Sequence, residues 1–204
     1  MKANKMKLVA AAVVSGAALI AAPEMASAES GLDTTAPYSV AARHNFTVVI
    51  PAFLSFRVGT AGVTIDTITF SPTVAQLGTG PIAGLGGTGG GGGSTTDVVL
   101  LSNAGQVTIT ATNNSGGLGL STGTVADGYI NFNEITATSG NAALTPPALT
   151  NAGGTTTTPT LNAGTKVTNQ SATWTYAYAN STVPSAGTYG GASSGQATYT
   201  ATAP

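Results

Sequence analysis

Hydrophobic and polar residues alternate along much of this chain, in short segments separated by Gly, Pro and Asn. A period of two places successive side chains on opposite faces of a β-strand, so this pattern predicts strands. The predicted strands cover residues 46–50, 54–58, 63–70, 98–101, 107–112 and 129–135, and a further one opens at Val167. The 63–70 strand skips one step between Ile65 and Ile68, which predicts a β-bulge near Asp66.

The clearest alternation lies in residues 174–204 and predicts two strands joined by a Gly- and Pro-rich loop. An aromatic stripe on a strand is either a stacking platform for sugars or bases, or more often core and cross-strand packing. We expect the second role, with these aromatic residues in the core or bordering a groove. They are Trp174, Tyr176, Tyr178, Tyr189 and Tyr199.

A looser alternation precedes the first firm strand. It places Leu32, Thr34, Ala36, Tyr38, Val40 and Ala42 at every second position. Pro37 cannot donate a backbone hydrogen bond, which suits an edge or inserted strand better than a central one. The alternative interpretation is a frayed, disordered leader, because chain termini are usually poorly ordered.

No segment after residue 28 shows the i, i+3, i+4 spacing of an amphipathic helix. Many short strands between turn clusters predict an all-β protein, specifically an immunoglobulin-like β-sandwich. We assign the sandwich domain to residues 44–204. Within it, we expect a flexible Gly-rich loop at 78–94 and a second loose, exposed region at 145–164.

The N-terminus has the three parts of a secretory signal peptide. Lys2, Lys5 and Lys7 precede an apolar run at 8–22, and an A-x-A cleavage pattern ends at Ala28. The apolar run is short for a membrane span, which disfavours an uncleaved anchor. The sequence therefore predicts export after cleavage of residues 1–28, which leaves a short N-terminal extension at 29–43.

Charge is sparse in the exported part of the chain. Beyond residue 28 there are three basic side chains (Arg43, Arg57 and Lys166) against six acidic ones. This balance excludes the basic surface that nucleic acids or anionic lipids require. Weak charge repulsion also favours self-association, as in a surface subunit that assembles with its own kind.

The sequence contains few residues that could form a catalytic or metal-binding site. The G-x-G-x-x-G match at 84–89 lies in the Gly-rich loop without a βαβ unit, and the G-x-S-x-G match at 191–195 lacks a following helix. One histidine, His44, and no cysteine exclude Cys- or His-based metal sites, and the carboxylates are scattered. We therefore predict no catalytic residues, no metal site and no cofactor.

The layout resembles that of secreted pilin-like subunits handled by chaperone–usher systems, including the spore-coat-U-like branch. The resemblance rests on WTYAYAN at 174–180, GTYGG at 187–191 and ATYTATAP at 197–204, with FLSFRVG at 53–59 and IDTITF at 65–70. The closing block is also similar to WxL-type cell-wall domains, although it has no paired W-x-L motif. The chain departs from many such pilins by lacking the disulfide cysteines.

The pilin resemblance implies a structural subunit of a fimbria, pilus or surface filament, and no enzyme. Such a subunit is a sandwich that lacks one strand, which leaves a hydrophobic groove. A periplasmic chaperone fills this groove first. At an outer-membrane usher, the N-terminal strand of the next subunit then replaces the chaperone. The donor strand would be Leu32–Ala42, or Phe46, Val48 and Ile50 in an alternative register. The implied location is the periplasm in transit and then the cell surface.

A secreted carbohydrate- or surface-binding adhesin remains the alternative function. It would use the aromatic stripe or the Gly-rich loop. An exported hydrolase is a more distant possibility, with His44 as its candidate base.

Overall fold

The computed structural model describes residues 31–88 and 93–204. The predicted signal peptide at 1–28 and the centre of the Gly-rich loop lie outside the described residues. The chain divides into two compact units, Met1–Val49 and Ile50–Pro204. Within the described ranges, no helix has the length and apolar character needed to cross a membrane.

The regular secondary structure of the second unit is almost entirely β-strand, which confirms the all-β prediction. The described strands are β1 (Leu54–Val58), β2 (Ile68–Thr69), β3 (Ile82–Ala83), β4 (Leu85–Gly86), β5 (Thr95–Ser102), β6 (Thr108–Asn113), β7 (Leu120–Ser121), β8 (Tyr129–Ile130), β9 (Ile135–Ser139), β10 (Thr155–Thr157), β11 (Thr168–Tyr178) and β12 (Ala197–Thr202). Single 3-10 turns occur at Val74–Gln76, Val125–Asp127, Phe132–Glu134 and Gly191–Ser193.

Two antiparallel sheets organise this unit. The larger sheet has the order β1-β5-β11, and both β3 and β9 pair with the C-terminal part of β11. The smaller sheet has the order β10-β6-β12. The strands β2-β4 and β7-β8 form two short additional ribbons. The last two strands of the chain, β11 and β12, therefore belong to different sheets.

Both sheets contribute to the larger of two hydrophobic core clusters. Strict alternation along β5 buries Val98 and Leu100, and Ile109 of β6 joins them from the other sheet. Trp174 of β11 is fully buried in the same cluster. Alternation in the sequence thus sets which face of each strand is buried, and residues of both sheets meet in this cluster.

Residues 63–70 do not form the predicted bulged strand, because a side chain organises the first part as a loop. The Asp66 carboxylate accepts hydrogen bonds from the backbone N–H and the hydroxyl of Thr60, each at 2.7 Å. The backbone hydrogen bond from Thr60 lowers the pKa of Asp66. Gly59 turns the chain at φ 84°, and a Cβ there would collide with the Asp66 carboxylate. Only Ile68–Thr69 remains a strand.

Residues 129–135 also differ from the predicted single strand. The chain pairs briefly as β8, makes the 3-10 turn Phe132–Glu134 and resumes as β9. The Phe132 N–H donates to the Asn151 side-chain oxygen at 2.6 Å, and the Phe132 ring is buried. The turn therefore places the Phe132 ring in the smaller core cluster, with Ala111 and Leu149. Because of this turn, β8 and β9 do not form one continuous strand.

The expectation that residues 145–164 are loose and exposed is wrong for much of this segment. Pro147 and Leu149 are buried, and Thr155–Thr157 form β10 against β6. Just before the segment, the Leu144 carbonyl accepts the Trp174 indole N–H at 2.9 Å. The Pro- and Thr-rich composition of residues 145–164 predicted a loose, exposed region, but these contacts attach the segment to the core.

Candidate functional site

The residues just before β1 carry a run of exposed apolar side chains, which we call the arm (residues 44–50). Phe46, Val48 and Ile50 are 90%, 83% and 75% exposed, and Val49 is exposed as well. The arm was predicted to be a strand, but no described residue before Leu54 is in one. A strand requires partners for its N–H and C=O groups. Within residues 31–88 and 93–204, no backbone hydrogen bond joins the arm to a strand.

Residues 32–42, the other candidate donor segment, are bent. The Asp33 carboxylate accepts the N–H groups of Thr35 and Ser39, both at 2.9 Å, with a bend at 35–37. The hydrogen bond from Ser39 contributes most to lowering the pKa of Asp33. Leu32, Thr34, Ala36, Tyr38, Val40 and Ala42 are all exposed. This segment would have to lose its bend before it could pair as a strand.

Two of the open strand edges in the second unit belong to β1 and β12. Among the described residues, β1 pairs only with β5, and β12 pairs only with β6. The two edge strands come close to each other, one from each sheet. We call the space between them the seam. Each strand offers an unpaired row of backbone groups there, which is the arrangement that accepts an added strand.

The core is incompletely covered along the seam. Phe56 and Val58 of β1, with Tyr199 and Ala201 of β12, pack against the core cluster but are only partly buried. On strands with a closed edge, the equivalent side chains such as Val98 and Ile109 are fully buried. The seam therefore combines open hydrogen-bonding edges with apolar side chains that further burial would stabilise.

Three residues of the aromatic stripe, Trp174, Tyr176 and Tyr199, contact one another next to the seam. Trp174 meets the ring of Tyr199 edge-on at 5.2 Å between centroids, and the Tyr176 hydroxyl donates to the Tyr199 hydroxyl at 3.2 Å. These contacts connect β11 of the larger sheet with β12 of the smaller one. Burial raises the pKa of both tyrosines, so neither hydroxyl ionises near neutral pH.

The other two predicted aromatics lie apart from this group. Tyr178 is buried near Phe70, and its hydroxyl has no hydrogen-bond partner among the described residues. Tyr189 lies in the loop before β12, where its hydroxyl is 3.0 Å from the carbonyls of Asp127 and Ser185. With Trp174, Tyr176 and Tyr178 buried, the stripe does not present an exposed stacking surface.

Asn103 holds the backbone that connects the arm to β1. Its side-chain oxygen accepts the Phe53 N–H at 2.8 Å, and its side-chain N–H donates to the Pro51 carbonyl at 2.9 Å. The Asn103 backbone N–H and the Ser102 hydroxyl both donate to the Phe53 carbonyl, at 3.3 Å and 3.1 Å. We call these four hydrogen bonds the Asn103 clamp. Nothing in the local sequence around Asn103 indicated it.

A shallow polar depression of about 420 Å³ lies on the outer face of the larger sheet. It is lined by Arg57, Asp97, Val99, Asn141, Ser171 and Thr173, among others. Asp97 accepts the Thr173 hydroxyl at 3.3 Å, and the Asn141 amide donates to the Ser171 carbonyl at 2.9 Å. Charges of both signs and several hydrogen-bonding groups are therefore available to a polar ligand.

Catalytic and metal chemistry has no assembled site in the part of the chain that the structure describes. No group of three His, Cys, Asp or Glu residues there could hold a metal ion. Ser193, at the centre of the G-x-S-x-G match, ends a 3-10 turn and not a strand-to-helix elbow. The described residues thus direct attention to the arm, the seam and the polar depression.

No family model, no curated protein and no solved structure matches this chain.

Proposed function

We propose that this protein is an exported structural subunit of a fimbria or other surface filament, assembled by strand donation between copies. In this proposal the two main sheets form an immunoglobulin-like sandwich that lacks one strand. One observation carries the proposal: the described part of the chain holds both an exposed apolar arm that no described strand pairs with and a seam bordered by two open edges. The arm supplies an additional strand with apolar side chains, and the seam supplies unpaired backbone groups and a partly exposed core.

The energetics favour insertion of the arm into a seam. Main-chain hydrogen bonds would satisfy the open edges, and alternate arm side chains would cover the exposed part of the core. Full burial of a Val, Ile or Phe side chain contributes about 1.5–3 kcal/mol, so Phe46, Val48 and Ile50 together supply a substantial driving force. An open, apolar edge is otherwise a site of uncontrolled aggregation.

The register Phe46, Val48 and Ile50 is the better donor of the two candidates. It is free of the bend that Asp33 imposes on residues 32–42, and its apolar side chains are larger. The Leu32–Ala42 register stays the second candidate, because its exposed alternation would also fit a strand.

The partners that follow from this function are further copies of the chain or similar subunits, with a periplasmic chaperone and an outer-membrane usher during assembly. A chaperone is needed because an unfilled seam would pair with any free strand edge. The signal-like N-terminus supports export to the periplasm and then to the cell surface.

The proposal is tested with the chain lacking residues 1–28 and two matched triple variants. We expect the parent to form concentration-dependent oligomers by size-exclusion chromatography with light scattering. Phe46→Asp/Val48→Asp/Ile50→Asp should remain monomeric, because charged side chains cannot be buried in the seam without a large desolvation cost. Leu32→Asp/Tyr38→Asp/Val40→Asp adds the same charge at the other register and should assemble as the parent does.

Each other outcome changes the conclusion. If only the Leu32/Tyr38/Val40 variant loses assembly, the donor is the earlier segment. A parent and two variants that all remain monomers, or that all assemble equally, would refute strand donation.

Glycan binding is a second candidate function, and the polar depression is the observation that favours it. Its carboxylate, guanidinium and amide groups match the hydroxyl-rich surface of a neutral saccharide. Titration with a panel of neutral oligosaccharides, followed by NMR, should shift resonances of residues lining the depression. Asp97→Asn should weaken that binding about tenfold, since a charged hydrogen bond contributes about 1.5–3 kcal/mol. Asp127→Asn, the same charge change elsewhere, should leave it unaltered; equal effects of both variants would exclude this site.

A further inference from the structure

The arm is close in sequence to an open edge of its own chain. Three residues, Pro51, Ala52 and Phe53, separate Ile50 from β1, which forms one side of the seam. A segment tethered this closely has an effective concentration in the millimolar range at any site it can reach. Unless something prevents it, the arm would fold back as a hairpin on β1 and close its own seam in preference to that of another copy.

A hairpin of this kind would require residues 51–53 to form its loop. Short hairpin loops need residues that adopt positive φ, usually Gly, Asn or Asp. Pro-Ala-Phe supplies none of these, and proline is fixed at negative φ. The local sequence therefore disfavours the turn, and the structure adds a second obstacle.

The second obstacle is the Asn103 clamp. The side-chain amide of Asn103 binds the Pro51 carbonyl and the Phe53 N–H at the same time, as a paired strand would. Phe53 also continues the β1–β5 register by one position, since Leu54 lies opposite Ser102 and Phe53 accepts from Asn103. The residues that would have to turn are thus held alongside the end of β5, with their backbone groups already bonded.

We infer that Asn103 is a positioning residue that prevents the arm from closing its own seam and so reserves that seam for the arm of a second copy. The inference rests on the proposed strand donation and adds the residue that decides between self-closure and assembly. Loss of the clamp frees the Pro51 carbonyl and the Phe53 N–H, so only the local sequence still opposes the turn, and the tether then raises the share of the intramolecular product.

The absence of cysteine from the sequence allows a direct test by disulfide trapping. Val48→Cys and Ala201→Cys place one thiol in the arm and one on the seam side of β12. In the chain lacking residues 1–28, mild oxidation should give mainly interchain disulfides, read as dimers and larger species on non-reducing gels. Adding Asn103→Ala should convert the product to an intrachain disulfide, identified by mass spectrometry, with at least about a tenfold fall in interchain product at micromolar protein.

Asn103→Asp is the matched variant. It keeps the acceptor for the Phe53 N–H but loses the donor to the Pro51 carbonyl, so we expect an intermediate shift toward the intrachain product. It also keeps the test decisive if Asn103→Ala fails to fold. Thermal unfolding of each variant without the added thiols separates a loss of stability from a change of product.

The two proposals fail in different ways. If the parent forms interchain disulfides and the folded Asn103 variants form them in the same proportion, strand donation stands and the inference about Asn103 is refuted. If no disulfide forms between Val48→Cys and Ala201→Cys in any chain, residue 48 does not reach the seam, and both the Phe46, Val48 and Ile50 donor register and the inference about Asn103 are refuted; strand donation itself is then decided by the triple variants above.

Discussion

Replacing Trp174 with alanine is expected to lower the free energy of unfolding by about 3–5 kcal/mol, the range for truncating a large buried aromatic. Trp174 is fully buried, packs edge-on against Tyr199 and donates its indole N–H to the Leu144 carbonyl. The variant loses the packing of both sheets and leaves that carbonyl without its donor. Urea unfolding followed by circular dichroism measures the change.

Trp174→Phe is the control for this prediction. It keeps most of the ring volume but cannot donate to Leu144, so its cost should be clearly smaller than that of alanine. The parent has a single tryptophan, so its fluorescence reports the same transition independently. A loss below about 1 kcal/mol for Trp174→Ala would mean that the core does not depend on this residue.

Asn180→Ala is expected to lower the free energy of unfolding by about 2–4 kcal/mol, because the fully buried Asn180 side chain loses three hydrogen bonds. The Asn180 amide donates to the carbonyls of Gln76 and Gly80, at 2.6 Å and 2.9 Å, and accepts the Gly78 N–H at 3.2 Å. These bonds attach the loop before β3 to the end of β11. Its φ of 52° is also in a region that asparagine tolerates better than alanine.

Two further substitutions separate the cost of the lost hydrogen bonds from the cost of the positive φ. Asn180→Gly tolerates the backbone conformation but loses all three bonds, so it should be slightly less damaging than alanine. Asn180→Asp keeps an acceptor for Gly78 but faces two carbonyls with a buried negative charge, and we expect it to be at least as damaging as alanine. Hydrogen exchange at residues 76–80 should accelerate in all three variants. Unchanged exchange there would show that the amide does not hold this loop.

Alternation in the sequence predicted best those strands that bury one face against the core of the same chain. β1, β6 and β12 coincide closely with the alternation around Phe56, Ile109 and Tyr199. Their side-chain pattern matches a sheet with one buried face, so local information was sufficient. The arm alternates in the same way at 46–50, yet it is not a strand, because strand formation depends on a partner that local sequence does not encode.

The parts that could not be predicted depend on polar side chains acting over long sequence distances. Asn103 bonds to residues about fifty positions earlier, and Asn180 to residues about a hundred positions earlier. Asparagine is common in turns, so neither position differs in sequence from an ordinary loop residue. The break at Phe132 has the same origin, since its N–H is taken by Asn151 from another loop.

The pairing of β1 with β5 has a mechanical consequence for a filament built in the proposed way. Tension between neighbouring subunits would enter each domain through residues 50–53 and pass along β1, which pairs with β5 over five residue positions. Hydrogen bonds between antiparallel strands run perpendicular to the strands, so a pull along β1 would load all of them together in shear. The Asn103 clamp would share that load at the point of entry, where peeling of the strand would otherwise begin.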